Sequence, residues 1–164
     1  MMRGKFFIII LTAILIISGC SKAESDSDIT KSDKEIVLKM ILEKAIVEKY
    51  IFDYNLIKNK NEIVISEENI KSLSLPEFEG ISFVMLSPKE IQKKADKEGD
   101  YLFLKITELE TSSNKIIVSI SNIWAVGKGS NVKFGYLSGG GFQISYTKSN
   151  GIWVQDEIVK MWIS

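Results

Sequence analysis

The side chains that most often carry out acid–base or metal chemistry are nearly absent from this chain. It has 164 residues, no histidine and a single cysteine, Cys20. Because histidine is the commonest general acid–base group and the commonest metal ligand, proton transfer would have to depend on carboxylates, lysine or tyrosine. With no histidine and no second cysteine, we expect no metal site, no cofactor and no disulfide.

Carboxylates are therefore the side chains to consider for catalysis. Those whose positions make them candidates are Asp100, Glu108, Asp156 and Glu157. Asp156 is the strongest candidate, because the favoured pairing of the last two strands sets it among apolar neighbours, and burial raises the pKa of a carboxylate. The interpretation that we favour for Asp156 is nevertheless a solvent-exposed residue at a strand edge, without a catalytic role. Glycosidase-like hydrolysis needs two carboxylates at a fixed separation, and the sequence locates no such pair. We assign no catalytic residue.

Glycines and aromatic residues add no further motif. A phosphate-binding loop needs a following Gly-Lys-Ser/Thr and a helix start. Neither follows the glycines near the C-terminus, which are Gly127, Gly129, Gly139, Gly140 and Gly141. These glycines predict turns and a strand bend. Four aromatic residues are candidates for lining a ligand pocket, although a core position is the favoured interpretation. They are Trp124, Tyr136, Trp153 and Trp162.

Two helices are predicted from capping residues and apolar spacing. Ser32 and Glu35 have the spacing of a capping box, and apolar residues recur at helical intervals over residues 33–50. The breadth of this apolar face favours packing on a sheet. A second, short helix should end at Gly99. Its predicted start is marked by Ser87, Pro88 and Glu90.

Strands are predicted on both sides of the second helix. Short apolar runs predict strands at Glu62–Ser66 and Ser82–Leu86. From residue 100 onward apolar residues alternate with a period of two, which predicts two hairpins. The first joins residues 101–109 to residues 115–126, and the second spans residues 142–163.

The turn of the second hairpin decides which of its side chains share a face. A two-residue Asn-Gly turn would pair Tyr146 with Gln155, whereas a three-residue loop would leave Gly151 in a left-handed conformation. We favour the three-residue loop because it collects more apolar residues on one face. The pairs that it predicts are Tyr146–Val154, Ile144–Asp156 and Phe142–Ile158.

The first twenty residues have the pattern of an export signal. Arg3 and Lys5 precede an apolar run over residues 6–17, which is too short to span about 30 Å of hydrocarbon. Residues 17–20, Ile-Ser-Gly-Cys, resemble the lipobox of bacterial lipoproteins. The resemblance implies that diacylglycerol is joined to the thiol of Cys20 and that residues 1–19 are a signal peptide, cut after Gly19. The predicted lipidation site is Cys20.

The closing segment carries a second resemblance. Residues 146–154 are similar to the last hairpin of many small exported bacterial domains with an NTF2-like or cystatin-like fold. Residues 137–164 are similar to lipoproteins without a characterised activity. The resemblance implies a helix across a curved antiparallel sheet. We therefore predict an α+β fold, with an N-terminal helix packed on a curved antiparallel sheet of about four to six strands and a short second helix.

These observations predict the organisation of the mature chain. Residues 20–31 would be the lipidated cysteine and a flexible tether, and residues 32–164 one α+β domain. Without Arg3 and Lys5, nineteen basic residues face twenty-one acidic ones, and this balance does not attract nucleic acid. The resemblance places the protein in the cell envelope, on the outer face of a membrane. Because Ser21 is not aspartate, the outer membrane is favoured in an organism with two membranes.

Two hypotheses of function from different classes follow. The first is a non-catalytic, lipid-anchored module that binds an unknown protein or small ligand and is a monomer. The second is a small carboxylate-dependent enzyme with an NTF2-like pocket. The absence of histidine and of a free cysteine favours the first. A third hypothesis, protection of the host cell against a toxin, rests only on small size and surface anchoring.

Overall fold

The computed structural model describes residues 28–130 and 139–163. The predicted signal peptide, Cys20, most of the tether and Tyr136 lie outside the described residues. Within the described ranges, no helix is both long enough and apolar enough to cross a bilayer.

The first helix, α1, spans Lys31–Leu42 and continues directly into a π-helical segment, Glu43–Val47. It therefore ends slightly earlier than the predicted limit at residue 50. Its buried face packs into the main core of the domain. The buried residues of this face include Val37, Leu38, Ile41, Leu42, Ala45 and Ile46.

The predicted Ser32–Glu35 capping box is wrong, because the cap lies two residues earlier. The side chain of Thr30 accepts a hydrogen bond from the backbone N–H of Asp33, and the Asp33 carboxylate accepts one from the backbone N–H of Thr30. Thr30 and Asp33 have the same three-residue spacing as Ser32 and Glu35, so spacing alone did not separate the two boxes. Glu35 instead accepts a hydrogen bond from the backbone N–H of Ser74, at 2.8 Å.

Six strands of the described chain form one sheet in the order β2-β1-β3-β4-β5-β6. They are β1 Glu62–Ser66, β2 Ser82–Leu86, β3 Tyr101–Ser112, β4 Lys115–Ala125, β5 Gly140–Ser149 and β6 Ile152–Ile163. The neighbours from β3 to β6 pair antiparallel, whereas β1 pairs parallel with both β2 and β3. The predicted α+β fold with a helix on a sheet is confirmed. The two parallel pairs differ from the antiparallel sheet that was predicted. They were missed because short apolar runs carry no signal of strand direction.

The two helices lie on opposite faces of the sheet. Ile63 and Ile65 of β1 belong to the core cluster beneath α1, whereas Val64 belongs to a second cluster. That second cluster contains Ile91 and Ala95 of the second helix. Because successive strand residues point to opposite faces, the second helix covers part of the face opposite α1.

The second helix, α2, spans Pro88–Glu98, as predicted. Ser87 is its N-cap, and the side chains of Ser87 and Glu90 complete a capping box. Gly99 follows its last residue with a φ of +80°, which glycine adopts without steric cost. Only Ile91 and Ala95 of this helix are buried, which confirms that it is short and peripheral.

The predicted three-residue loop of the last hairpin is wrong, although the positive φ of Gly151 is confirmed. Ser149 pairs with Ile152, so Asn150 and Gly151 form a two-residue turn with φ values of +51° and +78°. Tyr146 therefore pairs with Gln155. This geometry is the one that an Asn-Gly turn prefers. The other two predicted pairs are also replaced: the observed ones are Ile144–Ile158 and Phe142–Met161.

Candidate functional site

Asp33 is the carboxylate with the densest set of partners among the described residues, and the sequence reasoning missed it. Its side chain is buried at the start of α1. One oxygen accepts hydrogen bonds from Nζ of Lys148 at 2.7 Å and from Nε1 of Trp153 at 2.8 Å. The other accepts from the backbone and the hydroxyl of Thr30. The carboxylate thus joins α1 to β5 and β6.

Two opposing effects act on the pKa of Asp33. Burial by itself would raise this pKa, but the hydrogen bonds from Lys148, Trp153 and Thr30 outweigh it and hold the pKa well below its usual range. A carboxylate that stays ionised and is enclosed by its own domain is poorly suited to exchange protons with a substrate. We infer a structural role for Asp33.

Asp100 also holds parts of its own domain together. Its carboxylate accepts hydrogen bonds from the backbone N–H of Gly127 at 2.8 Å and from the hydroxyl of Ser130 at 2.6 Å. The bonds from Ser130 and Gly127 lower the pKa of Asp100. They fix the chain that leaves β4 against the chain that enters β3.

The favoured interpretation of Asp156, an exposed strand residue, is confirmed, and the apolar surroundings that would have raised its pKa are not found. The residue is exposed on β6, and its carboxylate accepts hydrogen bonds from Thr147 at 2.7 Å and Ser145 at 2.8 Å. These bonds, with a smaller contribution from Lys115, lower its pKa. The observed register causes the difference, because it sets Asp156 on the polar face of the sheet. Glu157, the next residue, is exposed.

Glu108 belongs to a small polar network on the same face as Asp156. It accepts hydrogen bonds from the hydroxyl of Ser119 at 2.8 Å and from Nε2 of Gln143 at 2.5 Å, and Gln143 also donates to Ser119. These three residues lie on three neighbouring strands. No hydrogen bond links this network to Asp100 or Asp156 among the described contacts, so the predicted carboxylates do not form one site.

The candidate aromatic residues take different places in the fold. Trp153 is buried in the main core, and Trp124 packs against the same cluster. Trp162 covers Gly141, where an added Cβ would lie only 2.5 Å from an atom of the indole. Gly127 likewise lies against the backbone of α2, and its Cβ would meet the oxygen of Ala95. The core interpretation is confirmed for Trp153. Trp162 instead lines a cavity of about 480 Å³, as the pocket interpretation predicted. The two glycines permit close packing.

Two polar side chains of the core have no hydrogen-bond partner among the described residues. They are the amide of Asn122, on β4, and the hydroxyl of Tyr146, on β5. Burial, with a smaller effect from Glu48, raises the pKa of the Tyr146 hydroxyl. Neither side chain lines a cavity described for this fold.

Besides a cavity of about 480 Å³ between residues 50–52 and the end of β6, the described chain has a groove beside α2. Two adjoining cavities of about 310 and 280 Å³ form it and share Glu62, Val64 and Lys94. We call this surface the α2 groove. Apolar side chains of β1 and β2 form much of its lining: Val64, Val84 and Leu86. Charged side chains border it, and they are Lys58, Lys93, Lys94, Lys97, Glu62, Glu90 and Glu98.

Part of the charge at the α2 groove is already balanced. Lys94 forms an ion pair with Glu98 at 2.8 Å, and Glu90 accepts hydrogen bonds from the N-cap Ser87. The groove floor is tied to α2 by Tyr101, whose hydroxyl donates to the carbonyl of Ile91 at 3.1 Å. Burial, with a smaller effect from Glu98, raises the pKa of Tyr101 to about 12. The groove thus combines an apolar floor with lysine ammonium groups at its rim.

The groove residues were not found by sequence reasoning, because they come from α2, from the loop at residues 57–59 and from β1, β2 and β3, whose parallel pairing was not predicted. Within residues 28–130 and 139–163, no group of three or more carboxylate or cysteine side chains is arranged to hold a metal ion. Comparison of the chain with protein-family models, curated proteins and solved structures found no match.

Proposed function

We propose that the chain is a bacterial lipoprotein, anchored in the cell envelope through lipid on Cys20. The pattern that supports the anchor is the charged start, the apolar run and the Ile-Ser-Gly-Cys sequence at residues 17–20. The helix α1 begins at Lys31, eleven residues after Cys20. An extended chain of that length reaches roughly 35 Å, enough to hold a globular domain clear of lipid headgroups.

The anchor can be tested by replacing the modified residue. In the full chain, Cys20→Ser should leave the precursor uncut and unlabelled by radioactive palmitate, because the thiol that accepts diacylglycerol is gone. Ser21→Ala, which keeps the cysteine, is the matched control and should be processed and labelled like the natural chain. Mature-size protein that still partitions into detergent after Cys20→Ser would refute the anchor.

We further propose that the domain is a non-catalytic binding module whose ligand lies in the α2 groove. The observation that carries this proposal is the combination of an apolar floor with rim lysines in an open concave surface. Four lysines and three glutamates border it, which favours an amphipathic ligand with a negative charge. The enzyme alternative is less well supported, because Asp100, Glu108 and Asp156 each accept two hydrogen bonds from their own domain.

Binding can be measured with anilinonaphthalene sulfonate, an amphipathic anion whose fluorescence rises in apolar surroundings. Val84→Glu places a carboxylate on the groove floor and should weaken binding of this probe about tenfold or more. Val47→Glu makes the same chemical change on the exposed side of the π-helical segment and should leave binding unchanged. Equal affinities of the two variants would contradict binding in the α2 groove.

A further inference from the structure

The strand β6 is a long, open edge of the sheet. It spans twelve residues and, among the strands of residues 28–130 and 139–163, pairs on one side only, with β5. An edge strand presents unpaired backbone N–H and C=O groups and can accept another strand. Five of its apolar side chains are exposed: Ile152 at 68%, Val154 at 50%, Val159 at 48%, Met161 at 58% and Ile163 at 67%. A cavity of about 480 Å³ borders its C-terminal end.

The pairing of β6 with β5 is irregular at two places, and these lie symmetrically on either side of Ile158. Tyr146 pairs with Gln155 and Ile144 pairs with Ile158, so β6 has one extra residue before Ile158. The next pair of β5, Gln143 with Lys160, leaves one extra residue after it. Since Asp156 bonds to Ser145 and Thr147, the extra residues are Glu157 and Val159. Bulges normally protect an edge from pairing, but two bulges placed evenly about one residue match those of a second, antiparallel copy.

The faces of β6 show the same symmetry. Residues opposite each other in antiparallel strands share a face. Pairing with β5 therefore assigns to the α1 face the side chains of Trp153, Gln155, Ile158, Met161 and Ile163. It assigns to the other face those of Val154, Asp156, Lys160 and Trp162. If a second copy of β6 runs antiparallel and is centred on Ile158, each residue of one set lies opposite a residue of the same set.

We propose that two copies of this chain associate through β6, antiparallel and with a two-fold axis at Ile158. The sheet then continues from one copy into the other. This register pairs Asp156 with Lys160 of the second copy, twice by symmetry. It also pairs Val154 with Trp162 on the same face. On the α1 face it pairs Gln155 with Met161 and Trp153 with Ile163.

Charge complementarity is the reason to choose a second copy as the occupant. Asp156 and Lys160 lie two residues either side of the symmetry point, on one face, and carry opposite charges. Opposite charges directly across an antiparallel pair stabilise it, and like charges destabilise it. An unrelated strand would meet this pattern only by chance. This proposed dimer differs from the monomer of the first hypothesis.

The test uses charge reversal in the full chain, with mass measured by sedimentation equilibrium in density-matched detergent. The natural chain should show a dimer that dissociates on dilution. Lys160→Asp and Asp156→Lys each place like charges opposite each other and should weaken self-association about tenfold. An equal mixture of the two variants should restore association, because both cross-strand pairs are then attractive.

Controls separate association from folding. Lys89→Asp makes the same charge change on the exposed start of α2 and should associate like the natural chain. Val154→Asp, at a half-exposed position, should weaken the dimer independently of the ion pairs, and circular dichroism verifies that each variant is folded. A natural chain that stays monomeric, a dimer insensitive to Lys160→Asp, or a mixture that fails to associate would each overturn the proposal.

Discussion

Asp33 shows how one carboxylate holds three elements in place. Its oxygens accept from Thr30 at the start of α1, from Lys148 on β5 and from Trp153 on β6. Lys148 and Asp33 also form an ion pair in which the Asp33 side chain is 7% exposed. Removal of one partner from a mostly buried pair leaves the other without compensation, which is more costly than the net value of the pair.

Asp33→Asn should therefore lower the free energy of unfolding by about 3 kcal/mol at pH 7. The native pKa of Asp33 is held below the value of about 3.9 in an unfolded chain. Its contribution is then present in full above that unfolded pKa and is lost as the pH falls toward the native pKa. Urea unfolding, followed by tryptophan fluorescence, should show the natural chain and Asp33→Asn converging between about pH 5 and pH 2.

Glu157→Gln is the matched control for this measurement, since Glu157 is an exposed carboxylate on β6. It should change the unfolding free energy by less than about 0.5 kcal/mol at either pH. A difference between the natural chain and Asp33→Asn that stays constant from neutral to acidic pH would refute the role given to the ionised carboxylate.

Single residues were the hardest feature to predict from the sequence. The spacing of Thr30 and Asp33 was present in the sequence, but the partners of Asp33 on β5 and β6 are more than a hundred residues away along the chain. No local pattern reports such contacts. Asp156 was misplaced for the opposite reason: a local choice of turn length decided its face, and that choice was wrong.

At the level of elements, apolar periodicity and capping residues predicted most of the fold. The start and end of α2, the strands β1 and β2 and both hairpins lie where the sequence indicates. The predicted register of the last hairpin failed because its three-residue loop was chosen on the assumption of regular pairing. The Asn150–Gly151 turn keeps its preferred two-residue form, and bulges at Glu157 and Val159 bring Ile158 back to the buried face. Irregular pairing of this kind has no signature in apolar periodicity.

Gly151→Val tests this turn. Gly151 has a φ of +78°, and a β-branched residue in that conformation costs about 1–3 kcal/mol. The melting temperature should fall by about 5 °C or more, because the register of the whole hairpin depends on the turn. Ser149→Ala, at the strand residue just before the turn, should change the melting temperature little. Thermal melts in which the two substitutions have equal, negligible effects would contradict the turn geometry.

At the scale of the whole molecule, the position of α1 connects the fold to the proposed anchor and the proposed dimer. α1 lies on one face of the sheet, and α2 covers part of the other. A two-fold axis that pairs β6 with its copy is perpendicular to the sheet and keeps both α1 helices on one side. The two chains then enter the folded region from that same side, so two lipids on Cys20 would attach the pair to one membrane. Two linked anchors bind more strongly than one.

The entry of the chain into α1 also limits how far the N-terminus can be shortened. A chain that begins at Ser32 lacks the Thr30 cap and two of the groups that bind Asp33, and it lacks Ile29, which packs against the core. It should unfold with a free energy about 1–2 kcal/mol lower than a chain that begins at Asp28. Thr30→Ala in the longer chain should reproduce most of that loss. Urea unfolding measures all three proteins, and equal stability of the chains that begin at Asp28 and Ser32 would show that the domain needs neither the cap nor Ile29.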